Sequence, residues 1–485
     1  MRSNRSPGGR AAAALARRFG VDARSLAAFR IAVAALLLAD LALRARHLRT
    51  FYTDAGVLPR AALQAQYPAL SGLSLHAISG VAWVQVALFV VAGVAALALL
   101  VGYRTRAAAV VSWLLLVSLH ARNPVVLSAG DSVLRRLLFW GLFLPLGARW
   151  SVDARRSEVT APNRVVGVAT AALLLQVVVV YAVNAALKFR GDAWPAGDAT
   201  RYVFALDAYT LPLGDLLAGA PELLGVLSHA WLALLVASPL LVALTGRARS
   251  RLVAAFVVAH LGMAATMRLG LFPAVSVVAL LPFLPGPVWD RLPALAWSPT
   301  AVLDDVLPRL PQPGVPPGVA SAAHTAATVV AALALVGVLA WNAAALGYAD
   351  APEDVRAVVE PAEHRWDMFA PEPRQTTVDY VATGELASGE RVVLFGDSVG
   401  HLPPPTRRGD VRWRTYGYDL RLAEYAPVRD DFARYLCSEW DRTHASDLVR
   451  VEIATVERTV RLDGPDATQR RDLASAACPG RADAE

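Results

Sequence analysis

The sequence predicts an all-α multi-pass membrane bundle of eight or nine transmembrane helices, followed by a small C-terminal α+β domain outside the membrane. Three observations predict this. Of 485 residues, 55% are hydrophobic and 18% charged, where a soluble domain carries about a quarter charged residues. The apolar residues gather in blocks near the roughly 20 residues that a helix needs to cross a bilayer. Beyond residue 348 charge rises, apolar runs shorten and period-two alternation appears. A purely soluble enzyme is excluded.

Nine stretches qualify as spans: 25–46, 78–102, 107–120, 132–148, 164–187, 222–246, 251–268, 270–289 and 322–347. The third and fourth are short, and Pro273, Pro282 and Pro285 break the eighth, so the count is eight or nine. Residues 1–24 are basic (Arg2, Arg5, Arg10, Arg17, Arg18) and lack a short apolar core with a cleavage site, as in an uncleaved protein. Basic residues near span ends stay cytoplasmic. Tyr103–Arg106, the segment holding Arg149, Arg155, Arg156 and Arg164, and Gly246–Arg251 share the side of the N-terminus, which is therefore inside at the plasma membrane. Arg44, Arg46 and Arg49 run against this rule. The segments left outside are 47–77, 120–131, 188–221 and the region after 348.

Residues 25–348 thus form the membrane domain and 349–485 the external one. Leu307–Gly318 is proline-rich and reads as a stiff connector. In the external domain, Thr377–Val381 and Arg391–Phe395 joined through Ser388-Gly389 predict a hairpin. Val428–Arg442 predicts a helix and Val449–Leu462 a further strand. Cys437 and Cys478 leave room for one disulfide and for no cysteine-rich metal site.

The formal net charge is +7, from 47 basic and 40 acidic residues, and 46 of the 47 bases are arginine. The exception is Lys188, just after the fifth span. Arginine stays protonated, whereas a partly buried lysine can give up its proton near neutral pH. A functional amine competes here with a plain reading, a side chain snorkelling from a span end in an arginine-biased chain. The loop from His120 to Ser132 lies on the same face as Lys188, so Arg122 and Asp131 are candidates for a shared polar pocket. For Asp131 alone, a helix N-terminus one turn from Arg135 is an ordinary arrangement. Arg30 and Asp40, inside the first span, require partners on other helices. His229 and His260 read as helix-to-helix hydrogen-bonding groups.

Neither a His-Glu-x-x-His motif nor a phosphate-binding glycine loop is present, so no metal or nucleotide site is expected. Gly396-Asp397-Ser398-Val399-Gly400 fits a nucleophile elbow, yet Pro403-Pro404-Pro405 follows where a helix must start, so it reads as a turn. The basic excess lies in loops whose charge the topology explains, and no nucleic-acid partner is expected.

Phe29-Arg30, Phe51-Tyr52-Thr53-Asp54-Ala55-Gly56-Val57-Leu58-Pro59, Arg122-Asn123 with Gly130-Asp131, Phe139-Trp140 with Leu144–Gly147, and Lys188 with Trp194 and Gly197 together resemble the HTTM (horizontally transferred transmembrane) family. Trp366–Pro373 is similar to the Trp-Met-Phe-x-Pro signature that follows the spans in bacterial members. The family resembles in turn the vitamin K-dependent γ-glutamyl carboxylases. That resemblance implies Lys188, followed by Trp194 and Gly197, as the base that deprotonates a quinol-type cofactor; with the shared outer face, Arg122, Asp131, Trp194 and Gly197 are the candidate substrate-binding residues. The loop Ser128–Ser132 lacks the histidine that the carboxylases carry there. Two functions follow: base-assisted chemistry at Lys188 on a quinol or a secreted peptide, and a non-enzymatic membrane protein that assists maturation or export of a secreted peptide.

Overall fold

The computed structural model describes residues 7–158, 161–291, 304–309, 316–356, 359–395 and 411–479. The Gly396–Gly400 motif and part of the proline-rich connector lie outside them. Each stretch read as a span contains a helix: α1 (Ala23–Ala45), α2 (Ala82–Val101), α3 (Thr105–Arg122), α4 (Ala129–Gly141), α5 (Val168–Lys188), α6 (Pro221–Val236), α7 (Gly246–Thr266), α8 (Phe272–Leu280) and α9 (Pro317–Ala345). Five of them, α1, α2, α5, α7 and α9, are long and apolar enough to cross a membrane. A sixth is possible if Pro212–Ala218 and α6, bent by 107°, make one broken span.

Local chemistry sets the boundaries. Asp22 caps α1 by accepting from the Arg24 amide at 2.9 Å. Ser128 and Asp131 form a reciprocal capping box at the start of α4. That helix ends at Gly141, earlier than the hydropathy of 132–148 suggested, and turns carry the chain past Pro145. In the eighth stretch, α8 has nine residues and passes into a 3-10 turn, Leu281–Phe283, at Pro282, which lacks an amide hydrogen to continue the ladder.

The bundle core joins Phe29 and Leu37 of α1, Leu137 and Trp140 of α4, Leu174 and Tyr181 of α5, and Phe256 of α7. By contrast, Val90, Val94 and Leu97 of α2, Val258 and Leu261 of α7, and Leu333 and Val336 of α9 are exposed on the protein alone. Such faces suit contact with hydrocarbon, which costs an apolar side chain nothing.

The C-terminal domain is an antiparallel four-stranded sheet of β1 (Thr376–Leu386), β2 (Arg391–Phe395), β3 (Leu448–Thr459) and β4 (Ala467–Ala477), in the order β2-β1-β3-β4. Two helices, α10 (Val411–Leu420) and α11 (Ala426–Thr443), complete it. The hairpin, α11 and β3 match the pattern of the sequence. The remaining two elements escaped it. β4 is largely exposed and carries Gln469-Arg470-Arg471-Asp472, so no apolar alternation marks it. Cys437 of α11 and Cys478 after β4 form a disulfide.

One apolar core runs through both parts of the chain. Phe51, Val57, Leu58 and Val126, from loops of the membrane domain, pack with Trp413, Tyr416 and Phe432. The Phe51 and Trp413 rings stand 4.9 Å apart.

Candidate functional site

Lys188 is the last residue of α5 and is buried. Its Nζ donates to the carbonyls of Met368 at 2.8 Å and Phe369 at 3.0 Å, and stands 3.6 Å from the centre of the Trp194 ring. Trp194 Nε1 donates to the same Phe369 carbonyl at 2.7 Å. One helical turn before Lys188, Asn184 Nδ2 donates to the carbonyls of Trp366 at 2.8 Å and Met368 at 3.1 Å. The amides of Asp192 and Ala193 donate to the Glu372 carboxylate. The segment Trp366–Pro373 is thereby laced backbone-first onto the end of α5 and the loop after it.

Two glycines make room for this arrangement. A Cβ on Gly191 would lie 2.6 Å from the Pro371 carbonyl oxygen. Gly197 has φ 88°, a region that disfavours side chains, and a Cβ there would lie 2.6 Å from Cε1 of His229. Asp367 stands beside the lysine; burial pushes its carboxyl up, against the opposing pull of Arg365, Arg374 and Lys188. The Arg136 guanidinium lies 4.6 Å from the Trp366 ring centre.

Arg122 and Asp131, expected to share a pocket with Lys188, make no contact with it. The Arg122 guanidinium donates to the carbonyls of Leu58 at 2.9 Å and Thr53 at 3.2 Å, holding the loop after α1. Asp131 belongs to a second buried assembly centred on Arg44. That guanidinium donates to Asp40 Oδ2 at 2.7 Å, to the Tyr52 hydroxyl at 2.7 Å and to Asp131, and meets His120 Nε2 at 3.2 Å. Arg412 of α10 donates to the other oxygen of Asp40 at 2.6 Å. Arg135 meets His120 Nδ1 at 3.2 Å, in place of the helical pairing with Asp131 read from the spacing.

Asp40, His120 and Asp131 offer three ligand atoms within 4.8 Å of one another, a metal-like grouping that the spacing did not disclose because its members come from three helices. Arg44 sits against all three and supplies the positive charge in that place. The burial of Arg44 also explains why it breaks the positive-inside pattern: an ion-paired guanidinium in the core is not a loop charge.

Arg30, His260 and His229, the other polar groups read inside spans, each have a partner. Arg30 donates to the carbonyls of Leu146 at 3.2 Å and Trp150 at 2.6 Å. His260 Nε2 meets the Tyr181 hydroxyl at 2.9 Å, and His229 Nε2 meets the Pro195 carbonyl at 3.0 Å.

Sequence reasoning named Lys188 together with Trp194, and the Trp366–Pro373 motif apart from them; the structure joins all three. It missed Asn184, Asp367 and Glu372 as members of the site, and Arg44 and Arg412 as members of the second assembly. The four-residue spacings Asn184–Lys188 and Asp40–Arg44 were the available signals, since such pairs share a helix face.

No curated protein and no solved structure matches the chain. The family model for the HTTM domain matches residues 20–289, more than half of the chain, including Lys188, Trp194 and Gly197. This is a membrane protein by its apolar helices and its domain, and the chain belongs to the HTTM family.

Proposed function

We propose that the protein is a plasma-membrane protein of eight or nine spans, with residues 1–24 cytoplasmic and residues 349–485 outside, and that Lys188 clamps the external domain to the bundle. In this reading the protein assists maturation or export of a secreted peptide without catalysing a reaction. One observation carries it: Nζ lies within hydrogen-bond distance of two carbonyl oxygens and over an aromatic face, surroundings that suit an ammonium. A general base needs its lone pair free toward a substrate.

The test uses Lys188→Met and Lys188→Arg in intact membrane vesicles. Under the clamp reading, Lys188→Met opens Trp366–Pro373 to protease and lowers export of the peptide cargo, while Lys188→Arg largely preserves both. An Arg variant that keeps the segment protected yet loses all function would sink it.

A second reading keeps Lys188 as general base on a quinol-type cofactor, with Arg122, Asp131, Trp194 and Gly197 as substrate-binding residues. What favours it is an apolar groove of about 610 Å³ beside the lysine helix, lined by Phe189, His229, Leu232, Val236, Pro239 and Leu240. Such a groove suits a lipid-soluble ring. Washed membranes assayed for quinol epoxidation, with Lys188→Arg as control, decide this reading: turnover by wild type and none by the variant supports it.

A further inference from the structure

Three arginines and two tyrosines meet where the C-terminal domain rests on the bundle. The Cζ atoms of Arg374 and Arg421 lie 3.4 and 4.2 Å from the centre of the Tyr418 ring, and that of Arg414 lies 4.1 Å from the Tyr209 ring. Arg374 donates to the Tyr209 hydroxyl at 3.1 Å, Arg421 donates to the Tyr418 hydroxyl, and Arg414 donates to the Ala208 carbonyl at 2.7 Å.

Two guanidiniums on one ring repel each other. Among the described residues, neither Arg374 nor Arg421 has a carboxylate within ion-pair distance to offset this. Asp207, close by, is taken by Arg458 at 2.9 Å, and Asp367 faces Lys188 as well as Arg374. The Nε of Arg421 is buried with no hydrogen-bond partner. Arg374 and Arg421 are thus left without a facing carboxylate of their own among the described residues.

The backbone fixes its depth. The Arg268 amide donates to the Tyr209 carbonyl at 2.8 Å, and the Leu211 amide to the Thr266 carbonyl at 2.9 Å. Thr266 is the last residue of α7, a membrane-length helix. The cluster therefore stands at the end of α7, where a membrane-spanning α7 would leave the hydrocarbon. The adjoining helix Pro212–Ala218 exposes Leu213 and Leu216, the latter 76% accessible on the protein alone. Lipid phosphates lie at that boundary, where tyrosines are also enriched, and a guanidinium fits a phosphate through paired hydrogen bonds.

We propose that Arg374 and Arg421, framed by Tyr209 and Tyr418, bind the phosphodiester headgroup of an anionic membrane phospholipid whose acyl chains lie along Leu213 and Leu216. The site is independent of which role Lys188 plays.

The full chain is placed in nanodiscs of phosphatidylglycerol mixed with phosphatidylcholine, and lipid retained on release is read by native mass spectrometry. Wild type should retain phosphatidylglycerol about tenfold over phosphatidylcholine, roughly 1.4 kcal/mol. Arg374→Gln/Arg421→Gln should lose the preference, and Arg442→Gln should keep it. Equal preference in wild type and the double variant overturns the proposal. So does complete displacement of the lipid by inorganic phosphate or by a polyglutamate peptide at matched charge, which would identify a free-anion or acidic-peptide site. Should the double variant not fold, wild type alone decides: phosphatidylglycerol must raise its Tm above that in phosphatidylcholine, and equal Tm values overturn the assignment.

Discussion

Lys188 and Trp194 hold the same acceptor: Nζ reaches the Phe369 carbonyl oxygen at 3.0 Å and the indole Nε1 reaches it at 2.7 Å. The ring that supplies the second donor also presents its face to Nζ at 3.6 Å. Lys188→Ala should therefore cost on the order of 2–4 kcal/mol, because it strips a buried carbonyl pair of its shared donor. Trp194→Phe keeps the aromatic face and loses only the indole donor, so about 1 kcal/mol is expected. Thermal unfolding in detergent measures both, and equal losses would contradict this division.

Asp40 joins two parts of the chain, accepting from Arg44 four residues on and from Arg412 in the C-terminal domain. Breaking a buried ion pair from one side costs about 3–5 kcal/mol, since the other charge stays buried. Arg412→Met should show a loss of that order. Arg412→Met combined with Asp40→Asn should cost less than the sum of the two single changes. Additive losses in a double-mutant cycle would mean that the two side chains do not interact.

Gly197 tests backbone conformation at the site. Gly197→Ala meets both its positive φ and the His229 ring, so a loss of roughly 1–3 kcal/mol is expected. His229→Ala in the same chain relieves the ring contact alone and should recover part of it. Full recovery would show that the backbone conformation contributes nothing.

His76, in a turn between α1 and α2, is buried, with Nδ1 2.6 Å from the Ser118 hydroxyl. Burial, and then the charges of Arg122 and Arg44, lower it to about 4 from 6.5. A folded value below the unfolded one means stability that is present above pH 6.5 and lost as pH falls toward 4. The loss should reach about 3 kcal/mol, following from 1.36 kcal/mol per pKa unit. His76→Gln should flatten this part of the stability profile. An unchanged slope between pH 6.5 and 4 in the variant would assign the effect to other groups.

Much of the membrane domain was legible in the sequence because hydrocarbon imposes one strong rule, a long run of apolar residues. That rule placed a helix in all nine stretches, though it overran α4, where Pro145 follows the helix closely, and α8, where Pro282 ends the regular ladder. In the C-terminal domain, β1, β2 and β3 declared themselves by alternation and turn residues. β4 did not, since a mostly exposed edge strand has no apolar face to display.

The sequence by itself determined that this is a membrane protein of the HTTM family, that one lysine stands apart from 46 arginines, and which motifs accompany it. Only the tertiary structure decided what those motifs touch. Lys188 and Phe369 are 181 residues apart in the chain and share a hydrogen bond, while Asp131, on the face where Lys188 was expected to meet it, is drawn to Arg44 instead. The physical reason is burial. A charged or polar group removed from water must find its partner in three dimensions, and the cost of leaving it unpaired selects backbone carbonyls and distant arginines that no local pattern of residues reveals.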